Sequence, residues 1–199
     1  MKSHHTRYLP HLYTTGRPLF ITWRLHGSLP ERRSFPRGEL TSGEAFVAID
    51  RLLDNAITGP LYSKMPKIAR IVDDAIHYRA DSMRHFELHA HVIMANHVHL
   101  LITPLVEVSK IMQSLKRYTA LQANRALTGS GPFWQDESYD RLVRDGKEFE
   151  RIRGHVEMNP VKAGLVLEPE QFRWSSAWPI DNRPQVDNLP HREGRIGGS

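Results

Sequence analysis

The sequence predicts an α+β fold, an antiparallel sheet with helices packed mainly on one face. Three observations lead there. Stretches in which apolar residues alternate with period 2 are interspersed with stretches of period 3.6, so strands and helices intermix along the chain. Two of the alternating stretches are separated only by a tight turn at Ala95-Asn96, which makes them an antiparallel pair. The chain has 199 residues, 40% of them hydrophobic, enough for one sizeable core and too few for two domains with linkers.

Taken in order, residues 1–15 are polar, rich in His and Arg, and read as an N-terminal arm. Residues 19–26, Leu-Phe-Ile-Thr-Trp-Arg-Leu-His, are a first strand, rich in β-branched and aromatic residues and closed by Gly27. A proline-punctuated loop over 30–38 carries Arg32, Arg33 and Arg37. Ser42-Gly43-Glu44 opens a helix with apolar positions Phe46, Ile49, Leu52, Leu53 and Ile57, stopped by Gly59-Pro60. A second helix, over 67–79, buries Ile68, Ile71, Val72 and Ile76. The strand pair spans 86–104. A third helix, over 108–127, carries Val108, Ile111, Met112 and Leu115 on its apolar face, with Gly129 and Gly131 just past its end. An aromatic segment from Pro132-Phe133-Trp134 through Tyr139-Asp140-Arg141-Leu142-Val143 reads as a short strand, and a helix is expected over 148–158, with Asn159-Pro160 ending it or starting a new turn. The order of elements resembles a ferredoxin-like arrangement. Residues 1–180 form a single domain on this reading, and 181–199, proline-bearing and poor in apolar residues, are a flexible tail.

Composition excludes several classes. There is no cysteine, so neither a disulfide framework nor a thiolate zinc site is available. Any metal must sit on His, carboxylate or amide groups. No apolar run approaches the ~18 residues of a membrane span, and the N-terminus lacks the apolar stretch of a signal peptide, so a cytoplasmic protein without a membrane partner is expected. Twenty-seven Lys+Arg against 22 Asp+Glu give a net charge of +5, which favours polyanionic partners.

His97-Val98-His99 is the first candidate for chemistry. An i, i+2 spacing in a strand puts both imidazoles on one face while Val98, Leu100 and Ile102 point into a core. His89-Ala90-His91 has the same spacing, and spacing alone does not choose between the pairs. On the helix that follows, Tyr118 and Gln122 lie one turn apart along a border of the apolar face. A phenol near a divalent cation is a candidate phosphoryl nucleophile, and an amide oxygen can complete a metal site. Both residues read equally as half-packed helix positions. Lys116, Arg117 and Arg125 add positive charge to the same helix. Tyr139 is a competing tyrosine, ranked below Tyr118 because its segment reads as structural.

Five blocks occur in order: Met94-Ala95-Asn96-His97-Val98-His99-Leu100-Leu101, Ser114-Leu115-Lys116-Arg117-Tyr118-Thr119-Ala120, Gly131-Pro132-Phe133-Trp134-Gln135, Asn159-Pro160-Val161-Lys162-Ala163-Gly164-Leu165-Val166 and Trp174-Ser175-Ser176-Ala177. Together they resemble the REP-associated tyrosine transposases of the HUH single-tyrosine superfamily, over about residues 16–178. The resemblance implies a single HUH transposase-like catalytic domain, a metal-dependent endonuclease and strand transferase acting on single-stranded or hairpin DNA. It implies that His97 and His99 hold Mg²⁺ or Mn²⁺ and that Tyr118 attacks the scissile phosphodiester to leave a 5′-phosphotyrosine. By position Gln122 completes the metal site. Arg32, Arg33, Lys116, Arg117, Arg125 and Trp134 are the expected DNA contacts, and the enzyme is expected as a monomer or a homodimer. The alternative is a non-catalytic DNA-binding module of the same fold. The chain departs from the family pattern at Ala95, where proline is usual, which loosens the turn but removes no ligand.

Overall fold

The computed structural model describes residues 15–29, 51–53 and 59–179. The N-terminal arm, the loop with Arg32 and Arg33, most of the first expected helix and the tail over 181–199 lie outside the described residues.

Four strands form one antiparallel sheet: β1 (Leu19–Leu25), β2 (Phe86–Ile93), β3 (His97–Pro104) and β4 (Trp134–Leu142). Their order is β2-β3-β1-β4, so β3 and β1 are central. That position explains why both are almost wholly buried. Among the described residues, three long helices accompany them: α1 (Pro66–His77), α2 (Val108–Leu127) and α3 (Gly146–Lys162). The structure is therefore the expected α+β arrangement.

Each face of the sheet has its own core. Leu19, Ile21, Trp23, Val98, Leu100 and Ile102 pack against α1 through Ile68, Val72 and Ile76, and against α2 through Ile111, Met112 and Leu115. Phe20, Ala90, Val92 and Leu101 point the other way and meet α3 through Ile152 and Val156. The alternation of β1 and β3 thus sorts α1 and α2 to one face and α3 to the other. The α1 and α2 helices are locked together by Arg79, buried just beyond α1. Its guanidinium donates to Ser114 Oγ at 2.9 Å, Ser114 O at 2.8 Å and Ala75 O at 3.0 Å.

Two elements differ from the sequence reading. The α3 helix runs on through Asn159-Pro160 to Lys162. Pro160 forfeits one backbone bond to the preceding turn, but the chain beyond it still closes on the helix, Asn159 O accepting from Ala163 N at 3.0 Å and Pro160 O from Leu165 N at 2.9 Å. At the other end Asp145 caps the helix by accepting from Glu148 N, so it starts at Gly146. The last strand covers Trp134–Leu142, longer than expected, because pairing with β1 supplies the order that its own polar sequence does not.

Candidate functional site

His97 and His99 lie on the α3 face of β3, both fully buried. Both rings are held by neighbours through Nδ1. Asn96 Nδ2 donates to Leu53 O at 3.0 Å, which turns Asn96 Oδ1 toward His97 Nδ1 at 2.7 Å. That carbonyl oxygen only accepts, so His97 carries its proton on Nδ1 and presents a lone pair at Nε2. His99 Nδ1 is hydrogen-bonded to Thr22 Oγ1 on β1 at 2.8 Å. The two Nε2 atoms then face each other at 3.1 Å. Neighbouring donors on an octahedral ion with bonds of ~2.1 Å stand ~3 Å apart, so the pair is spaced as two ligands of one cation would be.

The helix that reaches this pair is α3. Its Asn159, fully buried, has Nδ2 at 3.5 Å from His99 Nε2. The imidazole of His155, one turn earlier, has its ring centre 5.7 Å from that of His99. Phe20 stacks on His99 at 5.6 Å and meets the edges of Tyr139 at 6.4 Å and His155 at 6.5 Å. The strand register aligns Tyr139, Thr22 and His99 in one row across the sheet, so Tyr139 shares the histidines' face.

The residues expected to complete the site do not join it within one chain. Tyr118 and Gln122 are on α2, which packs on the opposite face of the sheet. Tyr118 lies under the guanidinium of Arg79, 5.2 Å from the ring centre. Burial pushes its phenol above the ordinary value, against the pull of Arg79 and with Asp74 adding to the rise. Arg117 and Arg125 are exposed on α2, and Lys116 Nζ donates to Gln135 O and Asp136 O, both at 3.0 Å. Trp134, a candidate DNA contact that read equally as core packing, is a core residue. It packs edge-on against Trp23 at 6.1 Å, and its indole N–H donates to Thr119 Oγ1 at 2.8 Å. Arg141, Arg144 and Arg151 converge on the buried carboxylate of Glu148.

The rival pair resolves differently. Register shifts between Leu88 and Ala90, and this bulge turns His89 and His91 to opposite faces. His89 bonds Thr103 Oγ1 at 2.7 Å and meets Phe149 of α3, whereas His91 bonds Asp73 of α1 at 2.8 Å. His155 and Asn159 are the residues that sequence reasoning missed. Their i, i+4 spacing beside the apolar positions Ile152 and Val156 was the available signal.

Residues 67–159, which hold the histidine pair, α2 and Asn159, match the family model described as "Transposase IS200 like". Over that span, a little under half of its length, the chain resembles the IS200-like transposases. Its fold is that of a solved REP-associated tyrosine transposase bound to a REP hairpin, with a TM-score of 0.53 and 20% identity over 95% of this chain and 96% of that one. A second solved chain, a transposase candidate of Deinococcus radiodurans R1, is 16% identical over 76% of this chain and 96% of its own, with a TM-score of 0.36. No curated protein matches. The match indicates a transposase-like, DNA-processing protein. Among its described residues no helix is long and apolar enough to cross a membrane.

Proposed function

We propose that this IS200-like chain cleaves single-stranded DNA beside hairpins, at a divalent-ion site formed by His97, His99 and Asn159. The observation that carries the reading is the approach of the two Nε2 atoms to 3.1 Å on the face where α3 delivers Asn159. Turning the Asn159 amide over presents its oxygen to the same point, since amide nitrogen and oxygen are interchangeable in shape. Two imidazoles and an amide suit Mn²⁺ better than Mg²⁺, and none of the three cancels the ion's charge. When bound, the ion supplies Lewis-acid polarisation of a phosphate oxygen.

The protein's own groups then have these tasks. Thr22 and Asn96 hold the two rings by their Nδ1 atoms and so aim both Nε2 atoms at one point. Phe20 stacks on His99 and covers its face with an apolar ring. His155, beside His99, is positioned to take the proton of an attacking water. A hairpin partner is supported by the solved relative, which was captured with one.

The phosphotyrosine route is the second reading, favoured by the family match and by the phenol of Tyr118 on α2. Because the sheet separates Tyr118 from the histidines, this route takes the tyrosine from a second chain and requires a homodimer with shared sites.

Incubation with Mn²⁺ and a hairpin-bearing oligonucleotide tests both. Cleavage abolished by His97→Ala and unaffected by Tyr118→Phe, with no covalent adduct, is the expected result. An adduct that returns when His97→Ala and Tyr118→Phe chains are mixed establishes the shared phosphotyrosine site instead. Metal-independent binding with no scission would reduce the chain to a DNA-binding module.

A further inference from the structure

On the opposite face of the sheet a different set of side chains converges. His91, fully buried on β2, has Nε2 at 2.8 Å from Asp73 Oδ1 on α1. His77, one helical turn after Asp73, has its own Nε2 at 3.8 Å from the same oxygen. The two imidazoles stand nearly perpendicular, at 84°, with ring centres 5.2 Å apart. One donor atom from each of the three residues lies within 4.8 Å of the others.

We infer that Asp73, His77 and His91 form a second metal site, for a borderline divalent ion of the Zn²⁺, Fe²⁺ or Co²⁺ kind. Two imidazoles and one carboxylate are the donor set that such ions prefer over Mg²⁺, and three protein ligands leave further positions open to water. A hydrogen bond between His91 and Asp73 alone does not call for His77. Yet His77 directs Nε2 at the shared oxygen and Nδ1 at Asp81 Oδ2, 3.7 Å away. Asp81 thus stands at ion-pair distance on the side from which a carboxylate steadies a metal-bound imidazole, whereas the outer nitrogen of His91 is buried with no hydrogen-bond partner.

The placement also gives the ion a way in. His91 is sealed inside, but the side chains of Asp73 and His77 keep 22% and 15% of their exposure, so the cluster reaches the surface through these two residues. The same position gives the ion a structural consequence. It would join α1 to edge strand β2 where residues 174–176 also pair with β2, through Ile93 N to Trp174 O at 2.8 Å and Ser176 N to His91 O at 2.9 Å. This site is separate from the His97–His99 pair, because His91 and His99 point to opposite faces of the sheet.

The test is a Co²⁺ titration of the full chain, read by visible absorption and by the number of ions bound after gel filtration. The parent protein and a His97→Gln/His99→Gln variant should both retain one Co²⁺ that His77→Ala and Asp73→Asn each lose. His77→Ala removes only a partly buried imidazole and leaves the buried His91–Asp73 hydrogen bond in place, so it keeps the test decisive if Asp73→Asn fails to fold. A Co²⁺ count and spectrum unchanged by His77→Ala overturns the proposal and leaves a hydrogen-bonded His91–Asp73 pair. Loss of that ion only in His97→Gln/His99→Gln overturns it as well, while leaving the DNA-cleavage reading intact.

Discussion

Thr22 Oγ1 and His99 Nδ1 are joined by a buried hydrogen bond of 2.8 Å, across 77 residues of sequence. The bond fixes which nitrogen of His99 faces His97. Replacing the hydroxyl by a methyl in Thr22→Val keeps the shape and removes the partner. Outer-sphere partners of metal-bound histidines typically contribute ~10–100-fold in affinity, and a loss of about that size is expected for Mn²⁺. Electron paramagnetic resonance of free Mn²⁺ measures it directly. An unchanged affinity would show that Thr22 does not orient the ring.

Asn159 and Gln122 make opposite forecasts. Asn159→Ala takes away the amide next to His99 and should lower Mn²⁺ affinity at least ~10-fold. Gln122→Ala, on the far face of the sheet, should leave affinity within ~2-fold, as expected for a site with no shared partner. The reverse ranking by isothermal titration calorimetry would mean that α2 of a second chain builds the site.

Glu148 governs acid stability. Its side chain is 3% exposed, and the guanidinium and backbone N–H of Arg144, joined by Arg141, hold its carboxyl at about 2 against burial. A folded value below the unfolded one means that the carboxylate stabilises the fold fully above the unfolded value of 4.5. That stabilisation fades as pH falls from 4.5 toward 2. Thermal melting between pH 7 and pH 2 should therefore show a steep decline in this window, and Glu148→Gln should flatten it. A variant that declines as steeply as the parent would assign the acid sensitivity elsewhere.

Trp134 belongs to folding rather than to DNA. It is 5% exposed, so Trp134→Ala should cost ~3–5 kcal/mol, the usual range for removing a buried indole. Chemical denaturation gives that cost. Hairpin affinity of the folded variant, measured by fluorescence anisotropy, should match the parent. A large drop in affinity with little loss of stability would return Trp134 to the DNA surface.

Much of this was readable in the chain itself. Alternation in Leu19–Leu25 and His97–Pro104, and the 3.6 period of Val108–Leu127, are local properties, because each residue's direction within an element follows from backbone geometry alone. The same rule put His97 and His99 side by side. It failed for His89 and His91, because the bulge between Leu88 and Ala90 arises from pairing with β3 and inverts the face of everything beyond it.

What the sequence determined by itself is the set of elements, the shared face of His97 and His99, and the ordered blocks of a transposase family. Only the tertiary structure decided which helix meets that face. The apolar stripe of α2 and that of α3 are both competent to cover a sheet, and neither period says which side it will cover. The connections decide that: α2 links β3 to β4 past β1 and carries Tyr118 and Gln122 to one core, whereas α3 follows edge strand β4 and carries His155 and Asn159 to the other.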